Sequence, residues 1–534
     1  MDQNQAKHLP EVAVEYIEDV VRRMRYRRAR RDVRAELEAH FEDALAGYPA
    51  DEERRDAARQ LIEAFGEPET LAVLIRRAKK RCRPLWQKIL IRSGQALGLL
   101  FVYGLLCTAR LYWGHPVIRM DTVERLNQVT SQGRSEDLNA EPILERAVET
   151  LPVWQYLDKE LWQMNDTEKE VLDAYLQSCE PAFQLLRQAV ERPYYWVRYR
   201  PMDGEDTGIV NIHLLVHLQK DLSPRLAKYR HLTQAMGYQI QWDCKQGRGD
   251  RALEDCLVLM QLGRHLAGRG LLVEQLVGIA IMGAGQNRMT QVLAAAPVSA
   301  ETVESVLRDV RDLCSDGRPW LSYDCEKVFA YDLIQRGFTD DGQGNGRVLA
   351  QGLFLVAEDI MPLDWGADLL LFDFPDRREF TGRVDRYFTD LEETFKTASP
   401  LDPQPTSQDL TGGGIGFLLG LLRPAFEDVL KLGWRLRTGR RATLAILAIE
   451  VYERTEGHLP ETLADLVAAG LLDAVPRDNY SGGALVYRRT DKGFLLYSVG
   501  EDLKDDNGTP ATGDNGRLRD YGPHGDWVFW PVRP

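Results

Sequence analysis

Residues 89–113 read ILIRSGQALGLLFVYGLLCTARLYW, and between Ser93 and Ala109 no side chain is charged. Wound as a helix at about 1.5 Å per residue, the stretch is long enough to cross a hydrocarbon core of about 30 Å. Arg92 and Arg110 stand near its ends, where long cationic stems can carry their heads out of the apolar layer. Tyr112 and Trp113 fall where an interfacial aromatic belt would sit. The flanks are unequal. Before the run come Arg76, Arg77, Lys79, Lys80, Arg81, Arg83 and Lys88 with no acid among them; after it come only Arg110 and Arg119 before Asp121. The positive-inside rule then places the N-terminus in the cytoplasm and the bulk of the chain outside. No apolar segment precedes the run, so the opening residues do not read as a signal peptide.

The chain of 534 residues carries a formal charge of −14. Residues 1–88 hold 19 Lys and Arg against 17 Asp and Glu, leaving 48 against 64 for the rest. An acidic outer part lacks the basic footprint that nucleic-acid binding requires. An apolar fraction of 44% is ample for packed cores. Of the seven cysteines, Cys179, Cys244, Cys256, Cys314 and Cys325 lie on the outer side and none has CxxC spacing. Cys244 with Cys256 and Cys314 with Cys325 are the sequence-near pairings, and an odd count leaves at least one unpaired. Buried small apolar residues is the alternative reading of all five.

The pattern predicts a mainly α protein in five stretches. Residues 1–88 form a cytoplasmic helical module, 89–113 the span, 121–399 a helical ectodomain, 400–414 a linker, and 415–534 a long helix with a small α+β end. In the first module Val33, Leu37, Phe41 and Leu45 recur at i, i+4. Tyr48-Pro49 breaks that helix, a second begins near Asp51, Gly66 caps it, and Pro68 opens the next. In the ectodomain, residues 250–289 read as an antiparallel helix pair joined at Gly268–Gly270, with Leu253, Cys256, Leu257 and Met260 on one inward face and Leu276, Ile279, Ala280 and Gly283 on the other. Past the apolar Ile415–Leu422, a long helix from Arg423 carries Leu444, Leu447, Ala448, Val451 and Tyr452 as its stripe. A hairpin follows, ALVYRR and FLLYSV, turned at Asp491-Lys492-Gly493.

Two stretches resemble known families. RRDVRAELEAHFEDAL with ARQLIEAFGEPETLA is similar to the small helical HAAS-type modules found ahead of bacterial membrane spans; about 70 residues are covered, and the Phe65-Gly66-Glu67-Pro68-Glu69 helix exit is the core signature. That likeness implies a regulatory or adaptor role inside the cell. From Ala442 to Trp530 the chain resembles the C-terminal half of the major pseudopilin of type II secretion. The likeness rests on Tyr452…Gly457…Pro460, Val475-Pro476, Tyr497-Ser498-Val499-Gly500, the Asp-rich loop after it, and GDWVFWPV near the end. In that family the loop binds calcium, which implies Asp502, Asp505, Asp506 and Asp526 as structural ligands here. The leader and cleavage site of a true pseudopilin are replaced by an 88-residue basic-ended module, and Asn479-Tyr480 stands where the family has Asp-Pro. A borrowed head, rather than pilus assembly, is what the resemblance implies.

Elsewhere the residues offer weaker chemistry. Asp340 and Asp341 precede Gly342, Gly344 and Gly346 but lack the spaced ligands and closing Glu of a calcium loop. His213 and His217 sit one helical turn apart without the Glu of H-E-x-x-H. Tyr194, Tyr195, Trp196 and Tyr199 with Arg198 and Arg200 can stack on sugars or pack a core. No G-x-S-x-G, P-loop or G-x-G-x-x-G is present. The expectation is therefore a single-span protein of the bacterial inner membrane, a non-enzymatic scaffold, sensor or adaptor whose partners are the membrane and other envelope proteins. An envelope hydrolase or glycan-binding protein with its site in the ectodomain is the alternative, and a secretion component comes third.

Overall fold

The computed structural model describes residues 9–81, 85–153, 159, 161–200, 212–315, 320–352, 375–397, 399–402 and 416–532, with side chains not described at 79–81, 85–88, 162, 212–221, 314, 397 and 416–428. The described chain is mainly helical, with sixteen α-helices and one three-stranded sheet. It separates into two compact units, Met1–Leu106 and Cys107–Pro534.

The first unit opens with α1 (Glu11–Arg22), α2 (Arg27–Leu45), α3 (Asp51–Phe65) and α4 (Pro68–Arg81). Val33, Leu37, Phe41 and Leu45 turn one face of α2 onto Tyr16, Ile17 and Val20 of α1. Between α3 and α4 the chain must reverse within two residues. Gly66 does this at φ +74°, where a Cβ would be strained. Its carbonyl accepts the Tyr16 hydroxyl at 2.7 Å, which ties the turn to α1. Helix α5 (Leu85–Tyr112) follows. Its segment Ile89–Tyr112 is long and apolar enough to cross a membrane, and none of its apolar window is buried. Leu97, Leu99 and Phe101 stand 67%, 72% and 69% exposed.

In the second unit α6 (Thr122–Ser131), α7 (Glu141–Thr150), α8 (Asp166–Val190), α9 (Ile212–Lys245), α10 (Gly249–Leu266), α11 (Leu272–Ala295), α12 (Ala300–Ser315), α13 (Asp324–Gly337) and α14 (Arg377–Thr397) build the helical body. The α10–α11 pair is its centre, packed on α9, α12 and α8. The two helices run antiparallel. A Cβ on Gly278 would lie 2.7 Å from the Gly263 carbonyl, and one on Gly285 would lie 2.9 Å from Met260 Cγ. Glycines thus let the backbones touch. The inward face of α11 is consequently Gly278, Met282, Gly285 and Met289. Of the expected face only Ile279 is buried; Leu276 and Gly283 are half-buried, and Ala280 is exposed. On α10 the expected residues are all buried.

Helix α15 runs unbroken from Gly416 to Glu456, so the apolar residues after position 415 belong to it rather than preceding it. It packs on α11 and α12, then on the C-terminal sheet. The short α16 (Leu463–Ala468) leads to β1 (Val486–Thr490), β2 (Gly493–Ser498) and β3 (Trp527–Trp530), paired antiparallel in the order β1-β2-β3. Thr490 faces Gly493 across the two-residue turn, and Gly493 takes φ +123°. One apolar core runs from Leu111 through the helical body to Trp527, so the C-terminal module shares its interior with the helices before it. Of the linker, 403–414 lies outside the described residues.

Candidate functional site

The C-terminal Asp-rich loop is held by its own side chains. Asp502 accepts the amides of Lys504 at 3.1 Å and Gly525 at 2.9 Å. Asp526, wholly buried, accepts Gly508 N at 2.6 Å and Asp506 N at 3.3 Å. Asp505 accepts the Tyr497 hydroxyl at 2.8 Å and Asn507 N at 2.9 Å, and the hydroxyl is the main cause of its depressed pKa. Burial instead pushes the Asp526 carboxyl up, against the pull of its two amides. Leu503 and Asn507 take positive φ within this framework. Among the described residues no three His, Cys, Asp or Glu side chains gather at metal-binding distance. Asp502, Asp505 and Asp526 each turn oxygens onto N–H or O–H groups of the protein, and these bonds shape the turn.

The loop Asp340–Gly346 is organised the same way. Asp340 accepts Gly342 N at 2.8 Å and pairs with Arg377 at 2.9 Å; Asp341 accepts Gln343 N at 2.8 Å. Side chains of His213, His217 and Cys314 lie outside the described residues, as does Cys82. Cys107, Cys179, Cys244, Cys256 and Cys325 are free thiols.

The aromatic run packs inward. Tyr195, Trp196 and Tyr199 are buried; Tyr194 lies half-buried under the guanidinium of Arg134, 4.2 Å from its ring centre. Behind it stands a buried carboxylate pair that periodicity could not show. Glu274 accepts the Tyr199 hydroxyl at 2.6 Å and Leu271 N at 2.9 Å, while Glu326 accepts Leu272 N at 2.6 Å. Both acids therefore cap the first turn of α11, where free N–H groups and the helix dipole favour negative charge. Burial still wins on the proton: Glu274 is raised, and Glu326 is pushed up to about 7. Beside the run, Arg198, Arg200, Arg225 and Lys228 line a pocket of about 220 Å³ together with Glu145 and Tyr199.

A roomier cleft, of about 1030 Å³, lies where the last turns of α9 and α11 face the C-terminal loops. Ile240, Val292, Ala294, Ala295 and Leu518 give it an apolar lining; Lys169, Lys245, Arg288 and Arg519 give it positive charge, against Asp520. Among the described residues no carboxylate pairs with Lys245, Arg288 or Arg519, whereas Lys169 holds Asp166 at 3.2 Å. Arg288 is seated by a glycine: a Cβ on Gly237 of α9 would lie 2.7 Å from its Cζ. A cleft of this size, apolar with a few fixed charges, has the make-up of a ligand site. Sequence reading missed it because its lining comes from six separated stretches.

No protein family, curated protein or solved structure matches the chain.

Proposed function

We propose that the protein is a single-span membrane protein of the bacterial envelope, its N-terminal helical module in the cytoplasm and its larger unit outside, acting as a non-enzymatic scaffold, sensor or adaptor. The observation that carries this reading is α5. Within it Ile89, Leu90, Leu97, Leu99, Phe101 and Leu106 each stand more than 60% exposed. Each such side chain left in water forgoes about 1.5–3 kcal/mol of burial, and a lipid phase is the environment that recovers it. Orientation rests on the seven cations ahead of the run. The binding reading is supported by the cleft at Arg288. Glu274 and Glu326 cap α11 rather than face an opening; the hydrolase alternative would instead draw on Asp121, Glu124 and Glu136, which line a pocket of about 380 Å³ with Trp196 and Arg198.

Protease treatment of intact spheroplasts tests the layout. The expected result is loss of the segment after residue 113 and survival of a membrane-bound N-terminal piece of about 12 kDa, at roughly 110 Da per residue. Protection of the larger unit overturns it. The pseudopilin-like end, by the same proposal, takes a structural calcium at Asp502, Asp505, Asp506 and Asp526. Because the loop already closes on itself, the ion adds to a formed turn: at ten times its Kd it raises stability by about 1.4 kcal/mol. A melting temperature that rises with calcium and falls back with chelator, and loses the response in Asp506→Asn, is the expected outcome. Equal curves for the two proteins in calcium would remove the ion.

A further inference from the structure

Several buried or half-buried cations of the larger unit meet an acid. Arg187 grips Asp255 through two bonds of 2.9 Å, Arg336 pairs with Asp332 at 3.0 Å, and Arg435 with Glu501 at 2.5 Å. Four arginines where α15 meets the loop before β1 do not. Arg437, Arg440 and Arg441 follow one another at helical spacing, so their side chains fan from neighbouring positions. Arg441 Nη1 donates to the Arg477 carbonyl at 2.9 Å and to Asn479 Oδ1 at 2.8 Å. Arg437 Nη1 reaches the Lys396 carbonyl at 3.2 Å, and Arg477 Nη2 the Gly482 carbonyl at 3.0 Å. Arg440 lies on the face of Trp320, 5.2 Å from the ring centre, with Arg264 on the same ring at 4.3 Å. None of the four is within ion-pair distance of a carboxylate among the described residues. The adjacent Asp478 is buried and spends its oxygens on Tyr480 N, Val499 N and the Ser498 hydroxyl.

Such a group of like charges is costly. Burial, then the neighbouring Arg441 and Arg440, hold the Arg437 guanidinium down at about 10. Three buried polar atoms at this seam also have no partner: Arg437 Nη2, Arg440 Nε and the hydroxyl of Tyr480, whose side chain is 2% exposed. Buried N–H and O–H groups in native proteins are normally satisfied. The seam opens to solvent at Arg477, which gives a ligand a way in. Guanidinium groups are planar forks that match the paired oxygens of phosphate, and several together suit a multiply charged oxyanion better than a single carboxylate.

We propose that Arg437, Arg440, Arg441 and Arg477 form a binding site for a phosphate group carried by a soluble phosphate ester or a lipid headgroup. The ligand brings negative charge to the cluster and acceptors to the two orphan guanidinium N–H groups. The site is independent of the cleft at Arg288 and of the calcium reading.

The test uses the full chain in detergent, titrated with inorganic phosphate and with glycerol 3-phosphate against sodium chloride at equal ionic strength. The expected result is saturable, phosphate-specific binding that raises the melting temperature. Arg440→Gln and Arg441→Gln should each weaken it tenfold or more, the loss of a charge-assisted hydrogen bond, while Arg489→Gln on β1 leaves it unchanged. Without phosphate, Arg440→Gln should melt no lower than the parent, because removing one of several crowded cations relieves repulsion. Nanodiscs distinguish the sources. If phosphatidylglycerol nanodiscs abolish the response to added phosphate and phosphatidylcholine nanodiscs do not, the headgroup occupies the site; an equal response in both assigns a soluble ester. No phosphate-specific binding in detergent, or parental affinity in both arginine variants, overturns the proposal.

Discussion

Helices α5 and α11 are both apolar, both more than twenty residues long and both punctuated by glycine, yet they occupy opposite environments. Around Gly94, Gly98 and Gly104 of α5 there is nothing within 4 Å of where a Cβ would stand. At Gly278 of α11 that position is filled by the Gly263 carbonyl and the Leu266 side chain, both at 2.7 Å. The polar residues differ as well. Ser93 to Ala109 contains no charge, whereas α11 buries Glu274, Gln275 and Gln286. Gln275 shows how that is tolerated: its amide donates to Gly270 O and Ser322 O and accepts Ser322 N, so its burial leaves nothing unpaired. A core helix can carry polar groups when its neighbours answer them. Were α5 to face lipid, as proposed, it would have no such neighbours, and charge in particular would go unanswered.

The largest expected effect breaks the comparison at α5. Leu99→Arg with Leu105→Arg adds two charges near the middle of the run, each costing about 2.5–3.5 kcal/mol of insertion. The protein should leave the carbonate-resistant membrane fraction; retention there would show that α5 is not the anchor. Next comes the glycine contrast. Gly278→Val forces α10 and α11 apart and should destabilise the larger unit by about 3 kcal/mol, the upper range of overpacking. Gly98→Val should leave its unfolding unchanged. Pulse proteolysis of both variants in detergent measures this, and equal stability would deny the close approach. An effect of similar size, spread over a pH window, concerns the acids that cap α11. A carboxyl whose folded pKa lies above its unfolded one stabilises fully below the unfolded value and loses that stabilisation as pH rises through the folded value. For Glu326 the window runs from 4.5 to about 7, and the whole span corresponds to about 3 kcal/mol. Glu326→Gln should therefore flatten the decline of melting temperature across that window. A parental slope in the variant would place the proton elsewhere.

Much of the fold was legible where local chemistry and packing agree. Gly66 and Pro68, the Val33–Leu45 stripe and the Asp491-Lys492-Gly493 turn are read from single residues whose backbone or apolar demands admit few alternatives. The inward face of α11 was not legible. Hydrophobicity ranks glycine and glutamine as weak core residues, yet close backbone approach selected the first and a fully bonded amide the second. The cleft was hidden for another reason. Lys169, Arg288 and Arg519 are ordinary surface cations in the sequence, and only the tertiary fold places them around one space. Asp526 was reached only through the pseudopilin resemblance, as an implied calcium ligand; its burial under two amides came from the structure.

Helix α15 has a practical consequence for dissecting the molecule. Ala445, Ile446, Ala448 and Ile449 near its end are wholly buried, and the helix packs on α11 and α12 as well as on the sheet. A fragment excised at residue 440 would carry that greasy flank into solution with its former cover gone, and would stick to itself. The strands beyond it are better regarded as a cornice built onto the helical wall than as a detachable module.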